Sequence, residues 1–181
     1  AAAYCMQQGM RAQLKHDYPK ARESFELGRS LAPWDGDFER RLGQVSIGEH
    51  DFDNAVRHFE RALEINPYYI LGRIPLAQTK MAVAQRLVQQ DSAKVNDALD
   101  ILDQAIGQLE ELLKTCPMFP PAHDMLGRVA SVSALFVVQS GAPDAPDRAA
   151  AYWRNAEIHL LKAIEYELEN RSELYRMLAK V

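Results

Sequence analysis

The sequence predicts an all-α, right-handed solenoid (superhelix) of four helix-turn-helix hairpins, the last two with elongated helices, and three observations carry that prediction. The chain echoes itself at an interval of 34 residues: His16, Asp17, Tyr18, Ala21, Phe25, Leu31 and Pro33 are answered by His50, Asp51, Phe52, Ala55, Phe59, Ile65 and Pro67. A self-match at such a period is the mark of a stacked-repeat architecture. Prolines then punctuate the pattern, because Pro33 and Pro67 fall where a second helix must stop. Finally, the columns recover after two stretched intervals, of 50 residues from Pro67 to Pro117 and of 51 from Ala105 to Ala156.

The first repeat, about residues 2–35, predicts helices near 2–15 and 18–31, with Pro19 in the first turn of the second, where no backbone donor is required. The second repeat, 36–69, predicts helices near 37–48 and 52–65, with Gly48 closing the first and Asp51 or Asp53 capping the next. Gly9 and Gly43 share a column and let a neighbouring helix approach, while Phe25 and Phe59 fill the space between helices.

The third repeat, 70–119, places Leu76-Ala77 in the Leu-Gly columns and Ala105, Leu109 and Leu112 in the later ones. The fourth, 120–170, restores Leu126-Gly127 and continues through Ala156, Leu160 and Ala163. Both insertions fall at the hairpin tip and keep a helical pattern. Met81, Val83, Ala84, Leu87 and Val88 extend one helix, and Val95, Leu99, Leu102 and Ile106 begin the next. Shared between two helices, each insertion adds roughly 8 residues, or about 12 Å, per helix. Residues Asp91-Ser92-Ala93-Lys94 predict one turn, with Asn96 or Ser92 as cap, and Gly141 to Asp147 predict the other. Pro75 interrupts the register, which predicts that its helix starts late, near Ile74. The segment 171–181 carries Leu174, Met177 and Leu178 on one side and either continues the preceding helix or opens a fifth repeat.

The order Leu42-Gly43, Asp51-Phe52-Asp53, Ala55-Val56, Phe59, Ala62-Leu63, Asn66-Pro67 resembles the tetratricopeptide repeat. The resemblance covers most of the chain and is most specific over residues 2–69. It implies one repeat domain, 1–181, acting as a non-catalytic scaffold that holds a partner segment in a groove lined by the first helix of each repeat. The register then gives Met6 and Met10, Asp37, Arg40 and Gln44, Ile74, Gln78 and Met81, and Asp124 and Arg128 as groove residues. Arg and Gln can bond a partner's backbone or carboxylates, and Met is an adaptable contact. Family members that grip acidic chaperone tails use a Lys and an Asn where this chain has Met6 and Met10, so that clamp is not carried over.

A second candidate surface is the tip of the last hairpin, where Leu135, Phe136, Val137 and Val138 point all round a helix and Tyr152-Trp153 begins the return. These residues either pack against residues 81–88 of the neighbouring hairpin or form an exposed apolar patch for a partner or lipid surface. The corresponding alternative is a structural subunit that self-associates as a homo-oligomer, or docks into a larger complex, through the elongated hairpins.

Composition narrows the rest. With 181 residues, 48% hydrophobic and 25% charged, the chain is an ordinary globular sequence of one domain or two. A net charge of −4 argues against nucleic acid as partner. The longest apolar run, Ala134 to Val138, falls far short of the roughly 20 residues a transmembrane helix needs. Cys5 and Cys116 form no framework, and no His pair has the spacing of a zinc helix, so neither metal nor cofactor is expected. His16 and His50 are expected as polar turn residues, and Glu110-Glu111 and the Glu165–Glu169 cluster as solvated faces. The start, Ala1-Ala2-Ala3-Tyr4, has neither an initiator Met nor a signal pattern and sits inside the first repeat, which predicts a trimmed or processed terminus. The compartment stays open, with the cytoplasm favoured.

Overall fold

A computed structural model describes the backbone of residues 1–178 and the side chains of residues 1–170. Among the described residues there are eight α-helices, one 3₁₀ turn and no strand. The chain divides into two compact units, Ala1–Val83 and Ala84–Val181.

The first unit holds α1 (Ala2–Leu14), α2 (Tyr18–Leu31), α3 (Gly36–Gly48), α4 (Phe52–Ile65) and the beginning of α5 (Ile70–Gln90). The four short helices lie within one residue of their expected bounds. Consecutive helices pack on each other from α1 to α4. The core runs through Ala21, Phe25, Phe38, Leu42 and Val45, with Ala55, Phe59 and Leu76 as a second cluster. The small columns do what their spacing suggested. A Cβ on Gly9 would lie 2.4 Å from the Phe25 ring, and one on Gly43 would lie 2.8 Å from the Phe59 ring.

The His16 and His50 column has a sharper role than a polar turn. Both residues are left-handed, with φ of 58° and 61°. Around His16 the closing bonds run from Asp17 N–H to the Ala12 carbonyl and from His16 N–H to that of Gln13, each 3.0 Å. Around His50 the equivalents are Asp51 N–H to Ser46 at 2.8 Å and His50 N–H to Ile47 at 3.0 Å. This pairing satisfies the last carbonyls of α1 and α3. Gly48, expected to close α3, is instead its last helical residue. Its missing side chain makes room for the Tyr18 ring, which a Cβ would meet at 2.4 Å. Of the two candidate caps, Asp51 accepts the Asn54 N–H, as Asp17 accepts that of Lys20.

Pro75 does not delay its helix. α5 starts at Ile70 and carries Pro75 inside it. Pro75 sits in the second turn, so only one ladder bond, to the carbonyl four residues back, is lost there.

The second unit holds the end of α5, a 3₁₀ turn at Ser92–Lys94, α6 (Val95–Thr115), α7 (Pro120–Ser140) and α8 (Ala145–Leu178). α5, α6 and α7 each have 21 residues, against 13 for α1 and 14 for α2, so the insertions do lengthen the helices. α6 packs on α7 and α7 on α8. The cap at the first tip is Asp91, which accepts the Ala93 N–H, and not Ser92 or Asn96. At the second tip Gly141, with φ of 66°, ends α7, and α8 begins by Ala145. Pro146 suits that first turn, so the loop is shorter than the expected 141–147. α8 runs unbroken for 34 residues, making the start of 171–181 a continuation and not a fifth repeat. The apolar side attributed to Leu174, Met177 and Leu178 lies outside the described side chains.

Candidate partner-binding groove

The 34-residue register sets α1 and α3 as equivalent helices, so Gln7 and Arg41, Met10 and Gln44, and Gln13 and Ile47 occupy matching positions. Between these helices lies an open depression of about 460 Å³ lined by Met10, Gln13, Leu14, Arg41, Gln44 and Ile47. A second depression, of about 580 Å³, continues along α1 past Tyr4, Met6 and Gln7. Three apolar side chains beside two amides and a guanidinium make a surface that can bury a side chain while bonding a backbone.

Arg40, expected as a groove contact, is committed inside the chain. It is 9% exposed, and its Nε donates to Asp37 Oδ1 at 2.7 Å and to the Tyr69 hydroxyl at 2.8 Å. The Tyr69 hydroxyl in turn donates to Asp37 Oδ1 at 2.5 Å. Burial works to raise the Asp37 pKa, but the bonds from Tyr69 and Arg40, with the charges of Arg40 and Arg41, hold it below the usual value. Burial, and then the bond to Asp37, push the Tyr69 phenol up to about 12. Asp37 is thus equally occupied, as the hub of this cluster.

Arg41 faces the depression instead. Its Nη1 donates to Gln44 Oε1 at 3.4 Å. Its Nε makes no hydrogen bond and lies 3.7 Å from Asp37 Oδ2. Burial and the neighbouring Arg40 charge lower the Arg41 pKa from its ordinary high value. Behind α3, the Glu39 carboxylate lies 2.7 Å from His58 Nδ1 and 3.4 Å from Arg29, tying α3 to α4 and α2.

Of the ten predicted groove residues the structure brings Met10 and Gln44 together on one depression, and Met6 joins Met10 in the adjacent one. Met6 also packs against the core cluster of Phe25 and Phe38. Ile74 and Met81 are half-buried on α5, and Gln78 is exposed there. In the second unit, Asp124 and Arg128 are exposed on α7 and face each other at 3.6 Å. The apolar tip divides: Phe136 and Val137 are buried, whereas Leu135 and Val138 are exposed and Trp153 is 45% exposed.

Sequence reasoning missed several surface residues. Gln13, Leu14, Arg41 and Ile47 were readable only by testing neighbouring columns of the same register. Trp34, 76% exposed, and Tyr68, 81% exposed, each follow the proline that ends a repeat. On α8, Ile158, Leu161, Ile164 and Leu168 are all exposed at helical spacing. Among the described residues no group of three or more His, Cys, Asp or Glu side chains could hold a metal ion, and no helix is long and apolar enough to cross a membrane.

Consecutive packed helices, with Gly-Phe interlocks and left-handed closures repeated at a 34-residue interval in the first unit, give an all-α helical-repeat fold like that of tetratricopeptide repeats. Solved structures agree. The chain is similar to TTC0263, a thermophilic TPR protein of Thermus thermophilus, at 17% identity over 99% of this chain and 98% of that one, with a TM-score of 0.59. It is also similar to a double mutant of MamA from RS-1, at 15% identity over 94% and 97% of the two chains, again with a TM-score of 0.59. No protein-family model and no curated protein sequence matches the chain.

Proposed function

We propose that this chain is a non-catalytic protein-interaction scaffold that captures a partner segment on the face shared by α1 and α3. The observation that carries this reading is the depression walled by Met10, Leu14 and Ile47 and set with Gln13, Arg41 and Gln44. Its apolar wall takes a partner side chain, and its amides and guanidinium take backbone or carboxylate groups. It is open along its length, which suits an extended segment and offers no enclosed chamber for chemistry. The test is affinity capture from cell extract with the wild-type chain and with Met10→Asp, both checked for folding by thermal melt. Proteins held by the wild type should be lost from the variant. Retention of all of them would overturn the assignment to this face.

A second reading has its own observation. Ile158, Leu161, Ile164 and Leu168 leave α8 with an exposed apolar row, which suits a structural subunit that self-associates. Sedimentation velocity at several concentrations distinguishes the two. A groove binder stays monomeric, whereas self-association through α8 grows with concentration and is abolished by Leu161→Asp.

A further inference from the structure

The second unit contains a histidine pair that the groove does not use. His123, in the first turn of α7, is buried, and its Nδ1 lies 2.7 Å from Nδ1 of His159 on α8. The two rings are stacked with centroids 4.9 Å apart, and the Tyr166 ring lies 5.3 Å from that of His123. The other nitrogen of His123, Nε2, is 2.8 Å from the Pro117 carbonyl.

Hydrogen-bond chemistry fixes where the protons sit. A carbonyl only accepts, so His123 Nε2 carries a hydrogen. In the neutral pair His123 Nδ1 therefore offers a lone pair, and His159 donates its Nδ1–H to it. One added proton is tolerated. It occupies either the outer nitrogen of His159 or Nδ1 of His123, and in the second case His159 changes tautomer and becomes the acceptor. Two added protons leave an N–H on both facing nitrogens, with two like charges stacked and no acceptor between them.

We propose that His123 and His159 form an acid-opened latch between α7 and α8. The charged surroundings favour opening once the pair is doubly protonated. From α8, Lys162 adds a second cation, and the Tyr166 ring stands beside the pair. On α7 the nearest carboxylate, Asp124, is exposed and paired with Arg128. On α6, which packs on α7, Glu111 and Lys114 pair with each other at the surface. The turn before α7 contributes the Pro117 carbonyl, which holds the ring in place.

Burial first, then the charges of His123 and Lys162, lower the His159 pKa from 6.5 to about 4. The unfolded chain therefore binds this proton before the folded one does. The stability the latch contributes is complete above pH 6.5 and is lost as the pH falls from there towards about 4. Opening also has a local target. Asp124 and Leu160, the sequence neighbours of the two histidines, line an open depression of about 850 Å³ together with Phe119, Ile164 and Glu167. Release of the pair reshapes that surface as α8 loosens from α7.

The test is thermal unfolding of the full chain from pH 8 to pH 4, wild type against His159→Gln. Glutamine keeps a donor for His123 Nδ1 but cannot titrate. The wild type should lose melting temperature between pH 6.5 and about 4, and the variant should lose much less. Superimposable profiles would overturn the latch. If the variant fails to fold, nitrogen NMR of the wild-type imidazoles decides. His123 should hold its hydrogen on Nε2 and His159 on Nδ1 at neutral pH, and His159 should take up its second proton well below pH 6.5, towards about 4. Uptake by His159 near pH 6.5 would equally overturn it.

Discussion

Gly43 and Phe59 share one space: the Phe59 ring stands 2.8 Å from where a Gly43 Cβ would be. The ring is completely buried, so it cannot swing away without displacing Ala55 and Leu76 beside it. Gly43→Ala should therefore destabilise the first unit by about 1–3 kcal/mol, the usual effect of overpacking a filled core. Gly107 is the control. It lies inside α6 with nothing near its missing Cβ. Gly107→Ala should stabilise by about 0.5–1 kcal/mol through reduced backbone freedom in the unfolded chain. Urea unfolding of the two variants checks the opposite signs.

His50 sits at φ 61°, where any side chain is strained. His50→Gly should raise stability by about 0.5–1 kcal/mol, and the branched His50→Val should lower it by about 1–2 kcal/mol. The same pair of substitutions at His16, with φ 58°, should repeat the pattern, because the closing bonds are the same. Chemical denaturation midpoints measure this directly.

Asp37 and Tyr69 predict an acid response in the first unit. The Asp37 carboxyl is held below its ordinary value of 3.8, so its contribution is present above that pH and is lost as the pH falls below it. Tyr69→Phe removes one of the hydrogen bonds that lower it. The variant should lose about 1 kcal/mol at neutral pH. Its Asp37 carboxyl, followed by carbon NMR, should titrate at a higher pH than in the wild type.

Pro75 lies within α5, five residues beyond the helix start at Ile70. Pro75→Ala restores a donor for the Leu71 carbonyl and removes the ring from the preceding turn. Stability should rise by about 1 kcal/mol, read from the melting temperature. An unchanged or lower value would mean that the proline ring packs better than the restored bond compensates.

How far the sequence could be read follows the distance over which each feature is decided. The helices of the first unit were legible because their ends are local: Asp17 and Asp51 cap within three residues, and Pro33 and Pro67 stop what precedes them. Arg40 was misplaced because adjacent helical residues point about 100° apart, and the sequence does not reveal that Tyr69 would capture one of two neighbouring arginines. The pairing of His123 with His159 joins two helices across 36 residues, and no periodicity announces it. Pro75 misled for the opposite reason. A strong local rule was overridden because the residues from Ile70 onwards already formed a first turn.

The two tryptophans fall one to each unit. Trp34 is 76% exposed in the first, and Trp153 is 45% exposed in the second. Replacing either with phenylalanine leaves a single tryptophan, which, excited at wavelengths the seven tyrosines do not absorb, reports on one half of the chain. A ligand that dehydrates the turn after Pro33 would shift one emission spectrum, while a change along α8 would shift the other. The molecule therefore carries two built-in optical channels, through which events in its halves can be timed separately without attaching a dye.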